Sequence, residues 1–155
     1  MRKKVLPYIV AILIMFSAAV FVRTVFHPLV ISGSSMKPTF SNGDIVRYEP
    51  AEGDLILGGI YAFQQDHFEL IKRLVALPGD TLYIENKTLY VNGKESPYRF
   101  EPIEQAGVLK EPITLSSDEY FFLGDNRNDS IDCRAFGPVK REQVNRVVTD
   151  IYFKR

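Results

Sequence analysis

The sequence predicts a mainly β protein, in which a β-rich body follows a single N-terminal transmembrane helix. Two observations carry this prediction. Eighteen consecutive uncharged residues, VLPYIVAILIMFSAAVFV, separate Lys4 from Arg23. After them, short runs of β-type residues alternate with turn signals, and neither an internal repeat nor a heptad pattern occurs. A chain of 155 residues, 46% of them hydrophobic, is long enough for one anchored domain.

The apolar N-terminal run fits a membrane anchor. As a helix it would be roughly 27 Å long, close to the thickness of a hydrocarbon core of about 30 Å. The basic start MRKK outweighs the lone Arg23 behind the run, so the positive-inside rule predicts a cytoplasmic segment 1–4, an anchor at 5–24 and an extracytoplasmic body at 25–155. The protein would then lie in the cytoplasmic membrane, with its body on the outer face.

A cleaved secretory signal is the competing interpretation of this run, because its SAA tripeptide offers small residues for cleavage. The apolar run exceeds the usual signal core of about 7–15 residues and continues past the alanines. Its length therefore favours a permanent anchor.

The sequence predicts that the body consists of strands separated by turns. TLYIENKTLYV predicts a hairpin that turns at Asn86-Lys87, and Gly58-Gly59 indicates a bulge or a turn. The segment 96–112 is rich in Pro and charge, which is typical of an extended loop or a small subdomain. The start of the last strand could instead be a short helix. Strands are predicted for DIVRY, LIKRLVAL, TLYIE, TLYV, EYFFL and QVNRVVTDIYFKR.

Composition excludes several classes of function. Lys plus Arg equals Asp plus Glu, at 19 each, so the charge gives no reason to expect a nucleic acid partner. The single cysteine, Cys133, excludes an internal disulfide framework. Two histidines, without an HExxH or CxxC spacing, give no metal motif, so we expect neither a metal nor another cofactor.

The segment SGSSMKPTF, Ser32 to Phe40, places three serines within four residues. A serine hydroxyl becomes a nucleophile only when a base within hydrogen-bond reach removes its proton. His27 and His67 do not lie in a recognisable triad motif, which leaves lysine as the other candidate base.

The strand LIKRLVAL offers such a lysine. Lys72 shares a strand face with Leu70 and Leu74, but Arg73 lies among apolar residues of the opposite face, so periodicity does not say which of the two cations is buried. From pattern alone, a Lys72 that reaches solvent remains an alternative. A free lysine is neutral only about once in 2,500 molecules at pH 7, whereas arginine is effectively never neutral. A catalytic lysine therefore needs burial, which lowers its pKa.

Three segments together resemble bacterial type I signal peptidases: SGSSMKPTF, LIKRLVALPGD and GDNRNDSIDCRAFG, in this order along the chain. The resemblance implies a membrane-bound serine endopeptidase with a Ser/Lys dyad, which removes N-terminal signal peptides from exported preproteins after small residues. It also implies an all-β catalytic body built of antiparallel sheets of the signal-peptidase type, with a smaller insertion, which we place near 80–118. Secretory preproteins and the lipid bilayer are the expected partners, and we expect a monomer.

By motif position, the resemblance makes Ser35 the nucleophile and Lys72 the general base. Ser130 corresponds to a serine that hydrogen-bonds and orients the lysine, and Asp132 and Arg134 correspond to a structural ion pair. Further positions implied to lie near the site are Gly33, Ser34, Met36, Pro38, Gly124, Asp125, Asn126 and Arg127.

The sequence departs from the family pattern at two positions of the site. Gly33 stands where some members carry a serine of the oxyanion hole, so the Ser35 N–H is the firmer donor there. Ser34 is either a local hydrogen-bonding residue or an oxyanion helper. Cys133 stands where a serine is common, and we interpret it as a tolerated small residue rather than a reactive thiol.

Two rival functions remain at this point. One is a self-cleaving Ser/Lys repressor-type protein, which would normally be cytosolic and carry a DNA-binding segment; the anchor and the balanced charge argue against it. The other is a catalytically silent anchored β domain that binds an envelope partner. The presence of both Ser35 and Lys72 in matching motifs argues against the second.

Overall fold

The structure is a computed structural model of the chain, and it describes residues 5–100 and 102–154, apart from the side chains of residues 25 and 26. The predicted cytoplasmic segment 1–4 lies outside the described residues. One long helix precedes a body of eleven strands and a short second helix. The helices are α1 (Leu6–Phe26) and α2 (Cys133–Phe136), and the strands are β1 (Pro28–Val30), β2 (Ile45–Pro50), β3 (Ile60–Gln65), β4 (Phe68–Ala76), β5 (Thr81–Glu85), β6 (Thr88–Val91), β7 (Lys94–Glu95), β8 (Ile113–Thr114), β9 (Glu119–Leu123), β10 (Val139–Lys140) and β11 (Val144–Phe153).

Helix α1 contains the predicted apolar segment. Pro7 lies in its first turn, where the backbone N–H groups have no intrahelical partner to lose. His27, directly after the last helical residue, has a left-handed backbone conformation (φ 42°, ψ 58°) that turns the chain into β1. The 19 residues Leu6–Thr24 are long and apolar enough to cross a membrane, and none of them is buried against the rest of the described chain. The structure thus confirms a single N-terminal helix with the properties of a membrane span.

The body consists of two antiparallel sheets, which confirms the predicted fold class. The larger sheet has the strand order β1-β2-β11-β3-β4-β9-β10, and the smaller one has the order β7-β6-β5-β8. All strands of the smaller sheet lie within the predicted insertion near 80–118. The larger sheet carries the serine segment beside β1 and the candidate lysine on β4, so it positions the candidate site.

The predicted hairpin is present. Strands β5 and β6 pair in register from Leu82 opposite Val91 to Glu85 opposite Thr88. Asn86 and Lys87 both have positive φ, 49° and 63°, as a two-residue turn with this twist requires.

Three other local predictions resolve as follows. Gly58, with φ of 84°, belongs to a turn before β3, not to a bulge within a strand. A 3₁₀-helix, Arg141–Gln143, precedes β11, so the last run begins with a helical turn and continues as a strand. The segment 96–112 is irregular except for a 3₁₀-helix at Gly107–Lys110.

The buried apolar residues form two clusters. The larger includes residues of both sheets, such as Leu74, Leu82 and Phe122. The smaller lies under the serine segment and consists of Ile31, Met36, Phe40, Val46 and Ile60. Because fully burying a large apolar side chain contributes about 1.5–3 kcal/mol, the smaller cluster is enough to fix the backbone of the segment above it.

Candidate active site

Ser35 lies in a turn that packing holds in place on one side. The next residue, Met36, is only 2% exposed and belongs to the smaller apolar cluster. Two backbone hydrogen bonds close the turn, from Lys37 N to Ser34 O (3.0 Å) and from Phe40 N to Met36 O (2.9 Å). Pro38 follows a cis peptide bond within the same turn. The Ser35 hydroxyl is therefore presented from a fixed backbone.

Lys72 meets this hydroxyl from strand β4. Its Nζ lies 2.8 Å from Ser35 Oγ and 3.0 Å from the Ile71 carbonyl oxygen. The residue is 3% exposed, and desolvation by this burial lowers the pKa of its amine, although the Asp132 carboxylate opposes the shift. The alternative of a solvent-reaching Lys72 is therefore wrong.

Arg73, on the opposite face of β4, forms a separate buried ion pair that the sequence analysis did not assign. Its Nε and Nη2 lie 2.8 Å and 2.6 Å from the two carboxylate oxygens of Asp125, and its Nη1 donates to the Gly58 carbonyl at 2.7 Å. Asp125 is completely buried and also accepts a hydrogen bond from Thr39. This pair ties β4, the serine segment and the loop after β9 together. One face of the strand thus places Lys72 beside a serine hydroxyl, and the other face pairs Arg73 with a carboxylate.

The loop after β9 also contacts the serine segment directly. Asn126 N donates to the Ser35 carbonyl at 3.0 Å, and Asn126 Nδ2 donates to the Ser34 carbonyl at 3.2 Å. The Ser34 hydroxyl donates to Asp129. A Cβ at Gly124 would overlap the Ser130 side chain and lie 2.6 Å from the Ser35 carbonyl oxygen. Only glycine therefore allows this close approach of the two segments.

The groups considered for an oxyanion hole differ in availability. The Gly33 N–H donates to Asn42 Oδ1 at 3.0 Å, and the Ser34 hydroxyl is bonded to Asp129. The Ser35 N–H donates to no residue in the part of the chain that the structure describes. Of these three donors, Ser35 N–H is the one available to a ligand.

Ser130 lies at the site but does not bond to the lysine in this structure. It lines a cavity of about 420 Å³ together with Ser35 and Lys72. Its Oγ is buried and has no hydrogen-bond partner among the described residues. The expected bond from Ser130 to Lys72 is absent, and the hydrogen bonds of the amine run to Ser35 Oγ and the Ile71 carbonyl.

Asp132 and Arg134 form the ion pair that the resemblance implied. Arg134 Nε and Nη2 each lie 2.8 Å from an Asp132 carboxylate oxygen, and Asp132 also accepts from Gly124 N at 3.0 Å. Arg134 Nη2 donates to the Arg127 carbonyl at 2.6 Å. Burial lowers the pKa of Arg127 to about 10, so this guanidinium remains charged at neutral pH, and it donates to the Gly124 and Tyr98 carbonyls. These residues hold the loop in shape rather than reach the dyad.

Cys133 and the histidines offer no competing chemistry. Cys133 is fully buried, its sulfur accepts from Phe122 N at 3.2 Å, and burial raises the pKa of its thiol. A protonated, enclosed thiol is a poor nucleophile. His27 ends α1 and His67 lies in the turn between β3 and β4, and no hydrogen bond joins either of them to Ser35 in the described residues. The described residues also include no group of three or more His, Cys, Asp or Glu side chains that could hold a metal ion.

Two cavities meet at the dyad. One, of about 240 Å³, has an apolar side formed by Leu29, Ile31, Met36 and Ile71 and a polar side that includes Ser35, Lys72 and Glu69. The other is the cavity of about 420 Å³, which extends past residues 128–131. The buried amine and the hydroxyl thus lie between an apolar recess on the anchor side and a more polar one on the loop side.

Comparison with known proteins identifies the family. The family model described as "Signal peptidase, peptidase S26" matches residues 3–153. Signal peptidase I P of Bacillus subtilis subsp. natto is 33% identical, over 98% of this chain and 92% of that protein, and signal peptidase IB of Staphylococcus aureus strain COL is 30% identical, over 93% and 87%. A crystal structure of a signal peptidase I from Enterococcus faecalis V583 matches with a TM-score of 0.50 and 30% identity, over 63% of this chain and 98% of that one. Together with a buried lysine beside a serine, these similarities show that the chain belongs to the signal peptidase family, peptidase S26.

Proposed function

We propose that Ser35 and Lys72 are the catalytic dyad of this serine peptidase, which removes signal peptides from preproteins as its family does. One observation carries the assignment: the buried Lys72 amine lies 2.8 Å from Ser35 Oγ, within the distance required of a general base. Burial favours the neutral amine, the form that can accept a proton.

The reaction follows from this geometry. Neutral Lys72 takes the proton from Ser35 Oγ as the oxygen attacks the scissile carbonyl, and the Ser35 N–H donates to the resulting oxyanion. The ammonium of Lys72 then returns its proton to the leaving amine, which departs as the new N-terminus of the mature protein. A water molecule, deprotonated by the same amine, attacks the ester on Ser35. This step releases the signal peptide as a carboxylic acid and restores the hydroxyl.

The apolar cavity supports the expected preference for small residues before the cut. It is about 240 Å³ in volume, and Leu29, Ile31 and Ile71 form much of its wall. An extended substrate presents alternate side chains to the same wall, so the residue before the bond and the residue two positions further upstream would both face this recess.

The position of the site supports a substrate held at a membrane. Ser35 follows the end of α1 by nine residues, so the dyad stays near the end of the membrane span. We place the catalytic body on the outer face of the cytoplasmic membrane, where the apolar segment of a signal peptide would lie in the bilayer beside α1. We also propose that the enzyme works as a monomer.

Ser130 is proposed to orient Lys72 during the reaction. Its unpartnered hydroxyl lines the same cavity as the amine, so it can accept a hydrogen bond from Lys72 when Ser35 is acylated and no longer accepts one. We propose that the other residues of the loop after β9 keep the side chains of Ser35 and Lys72 in their relative positions.

Incubation of the purified protein in detergent with a model preprotein tests the dyad. We expect Ser35→Ala to abolish cleavage and Lys72→Ala to reduce it by about 10²–10⁴-fold, since a positioned base contributes that much. Cys133→Ser is the matched control and should cleave normally. Cleavage that survives both alanine substitutions would refute the dyad. Binding without cleavage by the wild-type protein would favour a silent domain.

A further inference from the structure

A second polar cavity, of about 500 Å³, lies behind the dyad on the loop side. The loop after β9 forms one wall through Asn128, Ser130 and Ala135, and the segment 104–110 forms the other. The cavity shares Asn128 and Ser130 with the cavity that contains Ser35 and Lys72. The two cavities, named together the path, therefore adjoin at these two residues.

The outer wall of this path is fixed to the catalytic loop by its backbone. Glu104 N donates to Asn128 Oδ1 at 3.2 Å, Asn128 Nδ2 donates to the Pro102 carbonyl at 3.1 Å, and Arg134 Nη1 donates to the Gln105 carbonyl at 3.3 Å. Gly107, with φ of 58°, lies so close to the Arg134 backbone that a Cβ there would be only 2.7 Å from the Arg134 carbonyl carbon. These contacts hold segment 104–110 on the catalytic loop.

The membrane anchor gives the path a direction relative to a substrate. The apolar recess on the other side of the dyad includes Leu29 and Val30, which directly follow the turn at the end of α1. The apolar segment of a signal peptide precedes the scissile bond and comes from the membrane, so the upstream residues occupy the anchor side. The residues after the bond must then leave on the side of Asn128 and Ser130.

We propose that the cavity of about 500 Å³ binds the first residues of the mature protein, after the scissile bond, and that segment 104–110 is its wall. This inference rests on the proposed function. The wall carries both signs of charge, with Glu104 and Lys110, and presents many backbone and side-chain polar groups. Such a lining suits hydrogen bonding to the main chain of an extended peptide, and it does not select one particular side chain.

Two peptides with identical residues before the bond test the proposal. The short peptide ends one residue after the bond, and the long peptide ends five residues after it. For the wild-type enzyme we expect kcat/KM to be about tenfold higher for the long peptide, the effect of a few additional hydrogen bonds held in the transition state.

Cavity-filling variants locate the effect. Ala135→Trp and Lys110→Trp place an indole in the cavity from its two walls, and both residues are exposed, so neither change disturbs the core. Val108→Trp is the matched control, because Val108 is exposed on the same 3₁₀-helix but does not line the cavity. We expect the long-to-short ratio to fall to about one in both filling variants and to persist in Val108→Trp. Short-peptide cleavage by Val108→Trp should equal that of the wild type.

The outcomes separate this inference from the proposed function. Equal kcat/KM for both peptides in a wild-type enzyme that cleaves them would overturn the inference and leave the dyad intact. A filling variant that slows both peptides by the same factor would also overturn it, because the cavity would then act through the fold. If the wild-type enzyme cleaves neither peptide, the proposed function itself fails.

Discussion

At the scale of single residues, the chemistry depends on one amine whose pKa is lowered by burial. Lys72 and Arg73 are neighbours in sequence, yet only Lys72 lacks a directly bonded carboxylate. The positive charge of Arg73 is balanced by its bidentate pair with the Asp125 carboxylate, so Arg73 has a structural role. A lysine in the position of Arg73 would be held charged by that carboxylate, and an arginine in the position of Lys72 would never release its proton.

The pH dependence of cleavage tests the state of Lys72. Because burial lowers its pKa below the ordinary 10.5, the neutral and active form accumulates at a lower pH than for a free lysine. We expect kcat/KM to rise with pH, with the midpoint of the rise below pH 10.5. The measurement is a pH–rate profile with a short peptide substrate. Lys72→Arg should be inactive at every pH, and an ascending limb centred at or above 10.5 would contradict the assignment.

Cys133 should be chemically silent. Its thiol is fully buried, and burial raises its pKa, so the reactive thiolate is disfavoured. We expect a maleimide to leave the activity of the native enzyme unchanged and to label Cys133 only after denaturation. Mass spectrometry of the labelled protein and an activity assay measure both effects. Inhibition of the wild type but not of Cys133→Ser would show that the thiol matters.

At the scale of elements, the site is made where a strand, a turn and a loop meet. Strand β4 supplies the amine, the turn after β1 supplies the hydroxyl, and the loop after β9 joins them through Asn126, Asp125 and Asp129. None of these elements holds the dyad alone. Cleavage should therefore depend strongly on the distance between Ser35 and the backbone of the loop after β9.

Gly124→Ala tests this spacing. The added Cβ would overlap Ser130 and press on the Ser35 carbonyl, which forces the loop away from the serine turn. We expect kcat/KM to fall by about 10²-fold, since a displacement near 1 Å in reacting groups has this effect. The control is Gly53→Ala, where φ of 67° costs about 1–2 kcal/mol in stability but no atom lies within 4 Å of the new Cβ. If both variants keep full activity, the loop does not position Ser35.

At the scale of the whole molecule, one apolar helix relates the site to a membrane. Helix α1 leads through His27 directly into edge strand β1, so the sheet that carries the dyad starts at the end of the candidate membrane span. In the proposed membrane-anchored arrangement, this connection would restrict the enzyme to substrates that reach the same membrane surface.

The proposed orientation is tested by protease access. We expect proteinase K, added to spheroplasts, to remove a tag fused after Arg155, because the proposed orientation places the body outside and the basic N-terminus inside. Immunoblotting before and after lysis measures this, with a cytoplasmic protein as the control for intact cells. A tag that is digested only after lysis would reverse the orientation.

The sequence alone determined the features that short segments encode. Periodicity and turn residues predicted the β-rich body, the hairpin at Asn86-Lys87 and the apolar helix, because these depend on neighbours in the chain. Strand β3 was not predicted, since its first four residues, Ile60–Phe63, are all buried and do not alternate with polar ones. The motifs identified Ser35 and Lys72 as candidates. Strand periodicity left Lys72 and Arg73 equally placed for burial.

Only the tertiary structure decided which cation is buried beside Ser35 and which is paired with Asp125. It also revealed the bond between Ser34 and Asp129 and the docking of segment 104–110 on the catalytic loop, contacts between residues far apart in the sequence. The physical reason is that burial and pairing depend on the atoms that packing brings around a group. Local propensity sets the strand and the turn, and the approach of distant segments sets the charge that each side chain carries.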